Sequence, residues 1–411
     1  MHTGLAQRQD KSLLDDQSTV RKLELNLRRN VEQDHTALID EAAKRFRYED
    51  CRNENWNPEQ YSLLWGTPVW EQASAAQRVV LNQLYWVAYY AQIVSAEIAT
   101  IFLNQVAAAG LYSLEDFRLV CDNLDLETKQ ERAHINAFKT VGEQVEHTLF
   151  GERLFTYPMR SLYEHTIVFP DSGALSSLWR KLQIQAFTLL SSSNAFLGSQ
   201  YLLVRGLRTL NGKLVQHHLS TYYSKHPDRE RAPVPSAISY YHFMDESFHF
   251  NTSRIVGLDV PRSLRSPTAF ERWVVNRGVA GCQRDHYHFS VTVNGIFWYD
   301  PATFPVVYRL FRSPVFGMDD GQAREMMAAC YARESEGLAA SAKTHRIAAE
   351  SYKHFVEPAA HLDRPNREMA HMSANSEASW LARNRRALAR FRPEPRVARE
   401  TNHPGSETAT S

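Results

Sequence analysis

Cysteine is scarce in this chain. The 411 residues include only 4, and Cys51, Cys121, Cys282 and Cys330 stand far apart with no C-x-x-C pair. That excludes a zinc ribbon, a redox dithiol and a dense disulfide scaffold, and fits a reducing compartment. Excess charge is missing too. With 47 Lys and Arg against 46 Asp and Glu, the formal net charge is +1, which gives no global electrostatic reason for a nucleic-acid or anionic-membrane partner. The first residues lack the charged start and apolar run of a signal peptide, and the longest apolar stretches carry polar residues at helical spacing. These absences lead us to expect a soluble cytoplasmic protein. A further absence is local: no Asp or Glu occurs between Asp171 and Asp228, so the long apolar stretch there cannot offer a carboxylate to any site.

What is present is a metal-ligand pattern. Residues 240–250 read H-x-x-D-E-x-x-H, with His242, Glu246 and His249 spaced four and then three residues apart. On a helix at roughly 100° per residue the three side chains fall within about 60° of one another. Two imidazoles and a carboxylate suit iron, manganese or zinc better than calcium or magnesium, which take mostly oxygen ligands. Glu131 and His134 form a second Glu-x-x-His pair that meets on one helix face. Either pair alone is weak evidence, since a Glu and a His on a solvated face is the ordinary explanation for one. Two such pairs more than a hundred residues apart repeat the element that carboxylate-bridged di-iron bundles use, together with a lone Glu from each of two other helices. Glu97 is the only carboxylate in the apolar stretch 75–109. A solvated position and a ligand both account for it, because a buried carboxylate must be paired or bound.

The chain divides into an N-terminal arm (1–59), a helical domain (60–360) and an Arg-rich, flexible tail (361–411). A helix is expected around 19–46. The capping-box form Ser74-x-x-Gln77 starts a helix that Gly110 should end. Further helices are expected over 124–146, over 172–210 with a break near Gly198 or Gly206, and over 319–357. Ser191 to Asn194 would lie at the depth of the site. Asn294-Gly295 between two β-prone runs predicts a small β-hairpin insertion within 280–300. A basic amphipathic helix is expected near 380–391 within the tail. His217-His218 and Asp285-His-Tyr-His288 do not share a helix face and are read as ordinary surface or core histidines.

The order lone Glu97, Glu131-x-x-His134, apolar helix, His242-x-x-Asp-Glu246-x-x-His249 resembles the para-aminobenzoate N-oxygenase family of ferritin-like di-iron proteins. The additional His242 carries the resemblance, as does the stretch Gly66-Thr-Pro-Val-Trp-Glu-Gln-Ala-Ser-Ala-Ala-Gln77, and it covers residues 60–260. It implies a mainly α, ferritin-like bundle. It also implies two iron ions held by Glu97, Glu131, His134, His242, Glu246 and His249, with Glu131 and Glu246 bridging and His242 a ligand on the second metal. The family's Glu on the middle helix has no match here. Asp245 is expected either to hold the far N–H of a histidine ligand or to pair with an arginine. The implied activity is O₂-dependent oxidation of an amine nitrogen in a small molecule, with an unidentified electron donor and no membrane or nucleic-acid partner; a homodimer is left open. Tyr85, Trp86, Tyr89, Tyr90, Phe138, Tyr240, Tyr241 and Phe243 would suit an aromatic substrate, or simply fill the core. Another di-iron oxidation (hydroxylation, desaturation or C–C cleavage) and a binding or scaffold protein with a degenerate site stay open beside N-oxygenation.

Overall fold

Leu, Ala and straight-chain residues dominate the apolar stretches and turn signals are sparse within them, so long helices are the expected product. The computed structural model describes residues 11–155, 182, 185–186, 189–293, 301–373 and 376–393, and it is mainly helical with no strand among those residues. The first two helices are α1 (Gln17–Glu32) and α2 (Thr36–Arg45). The chain breaks between them because Gln33 to His35 leave the helical conformation, where the sequence pattern suggested one helix. The long helices follow: α3 (Ala75–Tyr112), α4 (Arg118–Phe150), α5 (Ala195–Ser224) and α6 (Val234–Arg254). Next come α7 (Ala269–Val293), α8 (Phe304–Arg312), α9 (Asp320–Tyr331), α10 (Glu336–Val356) and α11 (Glu377–Arg390).

Helices α3 to α6 form the centre of the molecule. The α3 helix packs on α4 and α5, and α6 packs on α5 and α4. The stretch read as an N-terminal arm lies against this centre: α1 and α2 both pack on α4 and α6, while α7 covers α5 and α3. At the start of α3 the Ser74 hydroxyl accepts from the Gln77 backbone and the Gln77 side chain accepts from the Ser74 backbone, so the capping box is formed. Half of the most apolar window of α3 is buried by its neighbours. The helix is long and apolar enough to cross a membrane by composition, yet here it is a core element.

Three expectations are corrected. Gly110 does not end α3, which continues to Tyr112; the missing side chain instead lets the backbone carbonyl of Ser191 approach where a Cβ would stand. Neither Gly198 nor Gly206 breaks α5. At Gly206 a Cβ would come within 2.7 Å of the Phe355 ring, so glycine serves close packing between α5 and α10. The first strand of the expected hairpin is also absent. Residues 291–293 are the last turn of α7, because helix propagation from Ala269 overrides the weak β preference of Val and Thr. Residues 294–300, the rest of that hairpin, lie outside the described residues. The helix near 380–391 is present as α11, with Trp380 and Leu381 buried.

Candidate metal centre

Three helices of the central bundle converge on one buried cluster. Glu97 comes from α3, Glu131 and His134 from α4, and His242, Glu246 and His249 from α6. None of the six is more than 7% exposed. Their donor atoms sort into two groups within metal-binding reach: Glu97, His134, His242 and Glu246 in one, and Glu131, Glu246 and His249 in the other. Glu246 belongs to both. Its Oε1 lies 2.9 Å from His249 Nδ1 and 3.5 Å from His242 Nε2. Glu131 also spans the cluster, with Oε2 3.3 Å from His134 Nδ1 and Oε1 3.4 Å from His249 Nδ1. His242 stands with Glu97, whose Oε1 is 3.1 Å away, and with His134.

The electrostatics are those of a cation site. Burial, and then the neighbouring charges of Glu131 and Glu246, push Glu97 well above the usual carboxylate range. Burial opposes ionisation of Glu246 too, but the His249 charge and hydrogen bonds with His242 and His249 hold it well below that range. Against burial, hydrogen bonds to Asp245 and Glu131 raise His134 to about 9, and Glu246 and Glu131 raise His249. Burial depresses His242. Without a metal, protons therefore do the cation's work, and loading would have to release them. Glu97 Oε2 is buried with no hydrogen-bond partner. A buried carboxyl oxygen without a hydrogen-bond partner, set among two other carboxylates and three imidazoles, fits a metal ion and is costly otherwise. The buried His and Glu groups could hold a metal ion.

Around this cluster lies a shell of polar contacts. Asp245, fully buried, has Oδ2 3.2 Å from His134 Nε2 and Oδ1 2.8 Å from His35 Nδ1; its partners are histidines, not arginine. These contacts hold its carboxyl at about 2 in spite of burial. His249 Nε2 lies 2.9 Å from Gln130 Oε1, and the Gln130 amide exchanges hydrogen bonds with Asn30 of α1. Arg205 of α5 pairs with Glu127 at 2.6 Å and donates to Asn104, Ser253 and the His249 carbonyl. His35, Gln130 and Arg205 were not singled out from the sequence. No motif marks His35, and Arg205 is one of many arginines; only the neighbour relation of Gln130 to Glu131 gave any signal.

Helix α5 brings no carboxylate, as its composition requires. Ser191 to Asn194 do not fill the gap. Asn194 caps α5 and donates to Glu271, and Ser191 lies against Gly110. Gln216 of α5 does not fill it either: it meets His242 from the outer side, its amide nitrogen 3.4 Å from Nδ1 while Nε2 faces Glu97 and Glu246, and its Oε1 has no partner.

The cluster opens into a cavity of about 680 Å³ between α3, α5 and α7. Its lining includes Ile93, Ala96, Leu103, Leu197, Val204, Gly278 and Cys282, with Glu97, Glu131, His242, Glu246 and His249 at the inner end. Tyr85, Trp86, Tyr89, Tyr90 and Phe138 are core residues instead. Tyr90 and Phe138 pack 5.6 and 4.9 Å from the His242 ring and fix it from behind. Tyr201 and Trp273 are the aromatic residues that the cavity wall does contain among the described residues.

A helical bundle that buries three carboxylates and three imidazoles at the end of a largely apolar cavity has the donor set of a metal-site protein. The chain belongs to the family described as acyl halogenase CylC-like, whose model matches residues 18–392. That membership makes it an enzyme of oxidative chemistry. Neither the curated proteins nor the solved structures contain a significant match to the chain.

Proposed function

We propose that this protein is a di-iron oxidative halogenase that replaces a C–H bond of an aliphatic acyl chain with a carbon–halogen bond, built on a ferritin-like bundle. Two iron ions would be held by Glu97, Glu131, His134, His242, Glu246 and His249, with Glu246 and Glu131 shared. The observation that carries this reading is the cavity: a mostly apolar space, with the aliphatic side chains of Ala, Val, Leu and Ile the largest group in its lining, leads directly to the Glu/His cluster, and such a space suits a methylene chain. Family membership supplies the acyl and halogenase terms.

Bound iron would supply the reductive activation of O₂. In the balance of the reaction, one C–H bond, one halide, one O₂, two electrons and three protons give one C–halogen bond and two waters, so an external electron donor is implied. The protein's own residues do the rest. Asp245 orients His134, Gln130 orients His249, and Tyr90 and Phe138 hold the His242 ring. The aliphatic wall excludes water and places the chain. The absence of a carboxylate on α5 favours an exogenous anion at the centre, and halide is the anion that halogenation consumes.

N-oxygenation of an arylamine is the second reading, favoured by the ligand order with its extra His242. One experiment separates the two. The protein is loaded anaerobically with Fe(II), its iron is counted, and it is exposed to O₂ with chloride or bromide and either medium-chain acyl substrates or arylamines. Halogen isotope patterns in acyl products are expected. Nitrogen-oxidised products without halogenation would move the assignment to N-oxygenation, and a chain that takes up no iron would leave only a binding or scaffold role.

A further inference from the structure

The cavity ends in positive charge that no acidic group among the described residues neutralises. Arg277 and Arg284 of α7 both line it and both are exposed, so they stand where it meets solvent. They are two helical turns apart, about 10 Å along the axis. Neither has an acidic partner among the described residues. Arg205, deeper in the same cavity, contrasts with them because Glu127 matches it at 2.6 Å. Arg208 of α5 lines the cavity as well and has a partner of its own, so the arginines of α5 are engaged within the fold, and Arg277 and Arg284 are the two without an acidic partner among the described residues.

The wall between them is pared back. Gly278 and Gly281 occupy the same stretch of α7; a Cβ at Gly281 would meet nothing within 4 Å, and one at Gly278 would meet only Val204 at 3.6 Å. The glycines are not demanded by backbone packing, and what they leave open is the cavity. An apolar channel with carboxylates and imidazoles at its inner end and unmatched guanidiniums at its outer end is complementary to an amphiphile. Guanidinium groups bind carboxylate and phosphate through paired charge-assisted hydrogen bonds.

We propose that Arg277 and Arg284 form an anion anchor for the head of the substrate, so that the ligand is an apolar chain with a carboxylate or phosphate at its outer end, running past Gly278 and Gly281 toward the Glu/His cluster. The direction of the chain rests on the halogenase reading; the anchor itself does not. It fixes which end of the chain reaches the centre, and so which carbon reacts.

Calorimetric titration of the full-length, Fe(II)-loaded protein under anaerobic conditions tests this without turnover. The probes are decanoate, decyl phosphate and 1-decanol, which share a chain and differ in the head. A charge-assisted contact adds a factor of about ten or more in affinity, so at least one anion is expected to bind about ten-fold more tightly than decanol. The better of the two anions identifies the head. The Arg277→Gln/Arg284→Gln variant, two exposed substitutions, should weaken the anions to the level of decanol and leave decanol unchanged. Gly281→Leu should weaken all three alike. Equal binding of anions and alcohol, retention of the preference in the double variant, or no binding of any probe would overturn the anchor while leaving the halogenation experiment unaffected. Conversely, head-selective binding by a protein that makes no halogenated product would sink the halogenase reading and keep the anchor.

Discussion

The His35 ring places Nδ1 2.8 Å from Asp245 Oδ1, and its backbone N–H donates to the same oxygen at 3.2 Å. The contact spans 210 residues of sequence and ties the turn between α1 and α2 to the bundle. The other Asp245 oxygen lies 3.2 Å from His134, so the N-terminal turn bears on the metal centre through one buried carboxylate.

Removing that carboxylate should loosen the centre without deleting a ligand. Outer groups of this kind cost about 10- to 100-fold in metal affinity when lost. Asp245→Ala is expected to fall in that range, and His35→Phe to show a smaller loss, because Asp245 would keep its His134 contact. Competition for Fe(II) with a coloured chelator measures both. Unchanged affinity in Asp245→Ala would show that His134 is held by its ring packing alone.

The Arg205–Glu127 pair leads to a stability prediction. Both side chains are at most 5% exposed, and breaking a buried pair from one side strands a charge, at a cost of about 3–5 kcal/mol. Arg205→Ala and Glu127→Ala should each lose about that much in urea denaturation. Arg205→Met with Glu127→Met should recover much of it, since well-packed apolar replacements of a buried pair are often neutral. A double variant as unstable as either single one would mean that the hydrogen bonds to Asn104, Ser253 and the His249 carbonyl matter more than the charge balance.

The legible part of this protein was the part written in helical spacing. His242, Glu246 and His249 share a face because four and three residues are close to one turn, and Glu131 with His134 follows the same rule; the structure brings all five together with Glu97. Composition also foretold that α5 would bring no acid. Contacts made between distant segments left no local trace. His35 reaches Asp245 only through the packing of α1 and α2 on α4 and α6, and Gln216 reaches His242 only through the pairing of α5 with α6. Glycine was read as a breaker at Gly110, Gly198 and Gly206, whereas the space beside Gly110 and Gly206 is taken by Ser191 and Phe355. A sequence carries no mark that separates a glycine needed for its backbone freedom from one needed for its small size.

His361 gives a pH dependence at a distance from the ligands. Burial, and then the charge of Arg272, depress its imidazole from 6.5 to about 4, while its Nε2 contacts Gln200 Oε1 at 2.7 Å. A depressed folded pKa means that the unfolded chain takes the proton first. The stability is fully present above pH 6.5 and is lost as pH falls toward 4. Because the ring is partly exposed, the loss between pH 7 and pH 5 should be about 1–2 kcal/mol. His361→Gln keeps a hydrogen-bonding group and cannot titrate. Urea denaturation at the two pH values should therefore show a steeper acid loss in the wild type than in the variant, and parallel losses would rule His361 out as the titrating group.

A carboxylate can be put on α5 next to the cluster. Gln216 is buried behind His242, with its Oε1 unpartnered and its amide nitrogen 3.4 Å from Nδ1, the ring nitrogen turned away from Glu97 and Glu246, so Gln216→Glu adds an anion of nearly the same shape beside the cluster without adding a ligand atom. If the deficit exists to admit halide, the added charge should compete with it. The variant is expected to retain iron at least as well as the wild type, because a carboxylate behind His242 makes its imidazole a more basic ligand, and to lose halogenated product by about ten-fold or more, a loss that raised bromide partly reverses. O₂ consumption with the acyl substrate should continue. A variant that halogenates as well as the wild type at the same halide concentration would show that the anion is held elsewhere. One that also loses its iron would point instead to strain between the new carboxylate and Glu97, Glu131 and Glu246.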